Sequence, residues 1–505
     1  MARLLLRRDL TVAVIVLLFA IQAVVRYSSH IDPSVGWYLY AGQRLLDGAA
    51  LYSDIFEVNP PLALWLCAAI VALAKDVAVD PTVLFKTILL FLTGASLAVS
   101  ARLLAAATDV TAATRNALLV LVAALMLFLP AAEFGQRDHI AIVLVTPWVL
   151  LRWNRLLDRR VPWALAAMIG VAAAVAIWMK PHFVLVPIAI EVTMLFATRS
   201  VRASLRVEVL TVIAFGIVYL ALIRLTWSST LLTTIALYGS RAYIPMYGAP
   251  FEDVAMRLVL PLALAAAAVA STMFLTEQLQ LLRTLLFVAG ATFVCAYVLQ
   301  AGSRYQTVPA LHFLALAAGL SVARALAGEL LLTSLGRRLM IAGATVSILA
   351  VFIGTSPSQV SPYRGRLLEE AISSEVPDAR TIFIASADVG HAFPLVNETG
   401  FLWASRFPAL WLSPYVATKL DDEGRPNDDI ARFALEATVD DLIAFEPDVV
   451  FIDEAPEQPH YDEAPLDYLA FWDHDPRFRR FWRDYMRRGT AGDFGIYVRN
   501  GVATP

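Results

Sequence analysis

The sequence predicts an α-helical polytopic membrane protein of about eleven transmembrane helices, followed by an extracytoplasmic α/β domain. Three observations predict it. Of the 505 residues, 59% are hydrophobic and only 16% charged, with mean hydropathy +0.66. Soluble chains carry about 25% charged residues, so this apolar excess has to face lipid. Apolar runs long enough to cross a bilayer recur along the first two thirds of the chain, and beyond residue 356 the composition changes abruptly to that of a soluble protein. The net charge of -3 averages over these two parts. There is no basic domain, which excludes nucleic-acid binding. The two cysteines, Cys67 and Cys295, sit in apolar stretches and form neither a disulfide framework nor a cysteine zinc site.

The chain opens with Arg3, Arg7 and Arg8 before an apolar run from Leu10 to Val25. No small-residue cleavage site follows, so the run is expected to be a retained first helix. Spans need roughly 17–25 apolar residues. Candidates fall at 10–25, 83–106, 116–131, 139–152, 162–178, 183–198, 208–225, 254–276, 284–300, 308–328 and 339–355. The short segment 60–74, which begins Pro60-Pro61, is ambiguous, and the positive-inside rule decides its status. If it does not cross, the cytoplasmic side receives Arg3/Arg7/Arg8, Arg102/Arg115, Arg152/Arg155/Arg159/Arg160, Arg199/Arg202/Arg206, Arg283 and Arg337/Arg338. If it crosses, all but the first cluster land outside. The segment is therefore expected to lie in the membrane plane at the outer surface. Lys75, Lys86 and Arg257 are isolated exceptions.

This parity predicts a plasma-membrane protein with a cytoplasmic N-terminus. Loops 26–82, 132–138, 226–252 and 301–307 lie outside, with the turn Lys180-Pro181-His182. Residues 1–355 form the membrane domain and 356–505 the outer domain. In the latter, Thr381–Ser386, Val449–Asp453 and Phe494–Arg499 have the pattern of buried strands, and Asp421–Asp429 is a solvated loop. Phe471–Arg488 has the pattern of an amphipathic helix, either packing on this domain or docking onto anionic headgroups or a glycan. No internal repeat is evident.

The chemically loaded residues gather outside. In the first loop, Asp32, Asp47, Asp54 and Glu57 stand beside Trp37, Tyr38, Tyr40 and Tyr52. Residues 35–46 can form an interfacial helix with Asp32 near its positive end. Asp32 either takes a proton from an incoming hydroxyl or simply caps that helix. In the second loop, Arg137, Asp138 and His139 stand at a helix mouth, as a structural rim pair or as a carboxylate facing Asp32. Lys180 can bind phosphate as a point charge or snorkel toward headgroups. Arg304, beside Tyr305, is a further anion-binding candidate. Tyr238 to Gly248 (YGSRAYIPMYG) either lines a groove or paves the interface, and His312 suits a hydrogen-bonded core residue. No P-loop or Rossmann glycine pattern is present, so a lipid-linked phosphate is the donor that fits this placement.

The array Asp32…Trp37-Tyr38…Gly42…Gly48…Leu51-Tyr52…Asp54…Asn59-Pro60-Pro61-Leu62…Trp65 resembles the first extracytoplasmic loop of GT-C glycosyltransferases, in the protein mannosyltransferase and aminoarabinose transferase-like set. The resemblance covers roughly residues 1–330 and is strongest in this loop. It implies a GT-C fold with in-plane helices in the first loop, and a polyprenyl-phosphate-linked sugar as donor. Asp32 matches the family's presumed catalytic base, and Asp138 its second acidic position. Relatives commonly have Lys-Pro-Pro where this chain has Asn59-Pro60-Pro61, and often Asp-Glu where it has Asp32-Pro33; Lys180 or Arg304 then has to supply the missing phosphate contact.

The expected reaction is inverting transfer of the sugar to an extracytoplasmic glycan, lipid or protein. Asp32 serves as base, and Arg137, Lys180 and Arg304 neutralise the departing phosphate. Asp138 either orients Arg137 or joins Asp32 in holding Mg or Mn. Tyr38, Glu57, Asn59, His139, His182, Tyr305 and Gln306 are the candidate substrate-binding residues. The rivals are a transporter or flippase for lipid-linked sugars, a polysaccharide polymerase or ligase, and a structural partner binding another envelope protein through its tail. A transporter wants ionisable groups near mid-membrane, whereas here they sit at helix ends.

Overall fold

A computed structural model describes residues 8–106, 110–248, 251–271, 279–300, 303–328, 335–355, 359–461 and 465–502. Arg3, Arg7, Gly302 and the end of the 254–276 run lie outside these residues. The principal helices are α1 (Arg8–Tyr27), α2 (Pro33–Leu46), α3 (Leu62–Asp76), α4 (Pro81–Ala105), α5 (Ala112–Phe128), α6 (Arg137–Leu156), α7 (Trp163–Met179), α8 (Leu185–Thr198), α9 (Val207–Thr233), α10 (Phe251–Ser271), α11 (Leu279–Tyr297), α12 (Arg304–Leu326), α13 (Leu335–Thr355), α14 (Arg366–Glu375) and α15 (Asp429–Phe445). Five strands follow the same order: β1 (Thr381–Ala385), β2 (Leu402–Trp403), β3 (Val449–Asp453), β4 (Tyr485–Ala491) and β5 (Phe494–Arg499). The chain divides into two compact units. The first comprises 1–29, 83–226 and 248–361, and the second 30–82, 227–247 and 362–505.

The first unit is a helical membrane body, and among the described residues each of the eleven apolar runs is helical over most of its length. Among the described residues, eight helices are long and apolar enough to cross a membrane. The sequence counts eleven; α5 and α7 are shorter, at 17 residues each, and α6 carries Arg137, Asp138, Arg152 and Arg155. Phe91, Phe196, Leu225 and Met256 are each more than 70% exposed, as lipid-facing side chains must be in a multi-pass membrane protein. α12 is the central helix, packed against α5, α6, α10, α11 and α13. α7 and α9 approach closely at Gly170, where an added Cβ would come within 2.6 Å of the Glu208 carbonyl oxygen.

Arg152 and Arg155 belong to the last turns of α6 rather than to a loop. Fully buried Arg152 donates to Glu208 at 2.8 Å, Glu191 at 2.7 Å and the Ala203 carbonyl at 3.1 Å. Arg155 Nε reaches Glu208 at 3.1 Å. The charges are compensated within the protein, which is the condition for burying them. The isolated cations of the topology argument are likewise tied down. Lys86 donates to the Ser29 carbonyl at 2.7 Å, and Arg257 pairs with Asp253 at 3.8 Å. In the second unit, Lys75 pairs with Asp47 at 3.6 Å.

The second unit contains a mixed sheet of order β2-β1-β3-β5-β4. β1 runs parallel to β2 and β3, and β5 antiparallel to β3 and β4. The three predicted strands appear at 381–385, 449–453 and 494–499. Phe471–Arg488, expected as one helix, differs: helical turns end at Asp484 and Tyr485 begins β4. β4 is an edge strand whose five interior residues are all exposed, so its sequence lacks the alternation that marks a half-buried strand.

α2 and α3 belong to this unit. A Cβ at Gly42 would fall 2.8 Å from the Ala68 nitrogen, so glycine lets the two helices meet. The 15-residue α3 is too short for a full span. The π-helical stretch Thr234–Tyr243 also packs here: Tyr238 meets Phe56 and Phe433, and Arg241 reaches Asp429 at 3.4 Å.

Candidate functional site

In the first unit candidates from three helix ends meet: Asp138, Lys180 and Tyr305. Asp138, in the first turn of α6, and Lys180, after α7, are 1% and 5% exposed and pair at 2.5 Å. Lys180 Nζ also donates to Gln300 Oε1 at 3.2 Å and lies 4.8 Å from the centre of the Tyr305 ring. Tyr305 is held by its neighbour. Ser303 and Gln306 form a capping box at the start of α12, and Gln306 Nε2 donates to the Tyr305 hydroxyl at 3.1 Å. Arg137 opens α6 beside Asp138, and Arg304 opens α12 with its side chain exposed. The Asp138 Oδ1 and His182 Nε2 atoms are buried with no hydrogen-bond partner among the described residues. Such groups are costly unless a ligand or water completes them.

His139 does not share this freedom. Its Nδ1 accepts from the Gly135 N–H at 3.0 Å, and its Nε2 donates to the Met126 carbonyl at 2.9 Å. Both nitrogens are committed to the bend between α5 and α6. His312, fully buried, bonds Thr146 at 3.0 Å. Sequence reasoning missed Gln300, the second partner of Lys180, because an amide at the end of an apolar run carries no signal. It also missed Arg26, which is buried over the Phe134 ring at 4.5 Å and donates to the Gln359 carbonyl at 2.7 Å. Its signal was available: a charge closing an apolar run.

In the second unit, Asp32 is the N-cap of α2, with Oδ1 accepting from the Val35 N–H at 3.2 Å. The helix N-terminus favours its ionised form, and the cap fixes the carboxylate. Glu57 is buried and accepts from Trp37 Nε1 at 3.1 Å and from Asn59 N and Nδ2 at 3.0 and 2.5 Å. Glu57 and Asn59 thus brace each other across the turn into Pro60-Pro61. Tyr38, on α2, is buried.

The tail holds this loop from many sides. Asn397 Nδ2 donates to the Gly36 carbonyl at 3.1 Å, and the Trp403 N–H to the Tyr40 hydroxyl at 3.0 Å. Burial raises the pKa of that hydroxyl above its ordinary value, keeping it a neutral donor and acceptor. Arg44 donates to the Ser405 carbonyl at 3.3 Å, and the Phe56 N–H to the Arg406 carbonyl at 2.8 Å. Arg406 is itself fixed by Asp441 at 2.8 Å. The loop that carries Asp32 is therefore part of a packed body.

No family model and no curated protein sequence matches the chain. Solved structures do. Arabinofuranosyltransferase AftD from Mycobacteria aligns at TM-score 0.50 and 16% identity, over 96% of this chain and 40% of that one. The chain thus spans less than half of AftD. ArnT from Cupriavidus metallidurans, solved bound to undecaprenyl phosphate, aligns at TM-score 0.55 and 12% identity, over 98% of this chain and 99% of that one. The chain shares with these two proteins the GT-C fold.

Proposed function

We propose that the protein is a GT-C membrane glycosyltransferase that moves a sugar from a polyprenyl-phosphate donor to a glycan, lipid or protein acceptor on the extracytoplasmic face of the plasma membrane. One observation carries this reading: the end-to-end likeness to ArnT, a structure that holds undecaprenyl phosphate. The donor site is assigned to the first unit. Lys180, fixed between Asp138, Gln300 and the Tyr305 ring, presents a held ammonium, but Asp138 offsets its charge. Arg137, in the first turn of α6, and Arg304, exposed at the start of α12, are assigned as the further phosphate contacts. Asp32 is assigned as base. The acceptor hydroxyl oxygen attacks the anomeric carbon, the bond from that carbon to the phosphate oxygen breaks, and Asp32 takes the hydroxyl proton. A single displacement inverts the anomeric centre.

With Lys180 as its counter-charge, Asp138 needs no metal, and transfer is expected to persist in EDTA. Recovery of activity only on adding Mg or Mn would reinstate Asp32 and Asp138 as metal ligands. The reading is tested with purified protein in nanodiscs and tritiated undecaprenyl phosphate. Saturable binding, lost in the Arg137→Ala/Arg304→Ala double variant, supports it. Binding that the double variant retains would remove the assigned phosphate site.

A further inference from the structure

The end of α11 grips the turn that carries Lys180 at two points, and the chemistry of one of them sets what that lysine can bind. The helix stops at Tyr297, and its last carbonyls lose their regular intrahelical partners. The Val294 carbonyl accepts from the Val298 and Leu299 N–H groups at 3.0 and 3.1 Å. The Cys295 carbonyl is met by a side chain: Gln300 Nε2 donates to it at 3.0 Å. Cys295 itself holds the turn, its Sγ donating to the His182 carbonyl at 3.2 Å.

This cap orients the Gln300 amide. Its nitrogen is fixed on a carbonyl, so its oxygen is turned to Lys180, and Nζ donates to Oε1 at 3.2 Å. A carbonyl needs the amide nitrogen and an ammonium needs the amide oxygen, so both partners demand the same orientation. An ammonium has three N–H donors. Asp138 Oδ2 accepts one at 2.5 Å and Gln300 Oε1 a second. The third is left on the side of the Tyr305 ring, whose centre is 4.8 Å from the nitrogen.

The two acceptors differ in charge, and the difference matters. Asp138 already offsets the ammonium, so a second carboxylate would make the pair net negative and repel a phosphate. An amide satisfies the second N–H without subtracting charge. Burial pushes Lys180 down to about 8, with Asp138 and Cys295 opposing the shift and Arg137 adding to it. The charged and titratable groups around it are thus Asp138 and Arg137 on α6, Cys295 on α11, Tyr305 on α12 and His182 in its own turn. A neutral acceptor in this setting favours the ammonium over the amine. We propose that Gln300 is a positioning residue: with Asp138 it fixes the rotation of the Lys180 ammonium, so that the remaining N–H meets the phosphate of the donor, and its neutrality keeps that N–H open to an anion. The phosphate contact rests on the glycosyltransferase reading; the hold on Lys180 does not.

The chain has only four lysines, Lys75, Lys86, Lys180 and Lys419. NMR of the purified full chain, labelled with carbon-13 at lysine Cε, therefore follows Lys180 alone once Lys180→Arg has assigned its signal. Gln300→Leu removes the acceptor, and Lys180 is expected to lose its proton at lower pH than in the wild type. Gln300→Glu keeps an acceptor and adds a charge, and Lys180 is expected to lose its proton at higher pH. Both variants are expected to bind undecaprenyl phosphate about ten-fold more weakly, the first by losing one hydrogen bond to a charged group and the second by cancelling the charge. A residue that only caps α11 loses the cap donor in both variants alike, so opposite shifts of Lys180 separate the two roles. Melting curves show that the variants fold. A Lys180 titration unmoved in both variants, or moved the same way in both, would overturn the proposal, and so would undecaprenyl phosphate binding at wild-type strength in both. Opposite shifts in a protein that binds no undecaprenyl phosphate would defeat the glycosyltransferase reading and leave the hold of Gln300 on Lys180 standing.

Discussion

Lys180 and Asp138 are buried against each other, so each is stable only because the other is there. Removing one side of such a pair leaves an uncompensated charge and costs roughly 3–5 kcal/mol. Lys180→Met is therefore expected to lower stability by about that amount, whereas Lys180→Met with Asp138→Asn recovers most of it. Thermal unfolding of the four proteins of the cycle measures this; additive losses would show that the pair is not coupled. Sequence named both residues as candidates without pairing them, because the partners stand 42 positions apart. The same limit applied to His139. Its position at a helix mouth was legible, but its commitment to Gly135 and Met126 depends on how the chain turns between α5 and α6.

Among the elements, α2 and α3 show what local pattern can reach. The proline pair, the aromatic run and the polar residues placed two helices in the first loop, and the structure has them at 33–46 and 62–76. Their mutual packing depends on Gly42, which the sequence marked as a member of the first-loop array but not as a helix contact. Gly42→Leu is expected to force the helices apart, destabilise by about 1–3 kcal/mol and reduce transfer by displacing the Asp32 cap. A variant with wild-type melting and activity would show that the close approach is dispensable. The edge strand β4 was not legible, since its solvated interior residues carry no alternating pattern. The glutamates that compensate Arg152 and Arg155 were not legible either, because Glu191 and Glu208 stand 39 to 56 positions away in the chain.

At the scale of the whole molecule, the composition break near 356 was plain, yet compactness follows another line: residues 30–82 and 227–247 make one unit with the tail from 362. No tail residue is assigned to the chemistry, but tail groups hold α2 at Gly36, Tyr40 and Arg44 and grip Phe56. Truncation after 361 is therefore expected to abolish transfer while leaving membrane insertion intact, measured by activity beside carbonate extraction. An active truncated chain would make the tail an accessory. The central claim is sugar transfer with Asp32 as base, and the most direct measurement is the single-turnover rate of Asp32→Asn against wild type, using a panel of undecaprenyl-phosphate-linked sugars. The account predicts transfer by the wild type from at least one donor and a loss of about 10²–10⁴-fold in the variant, the usual contribution of a general base. Transfer by Asp32→Asn at the wild-type rate would contradict it.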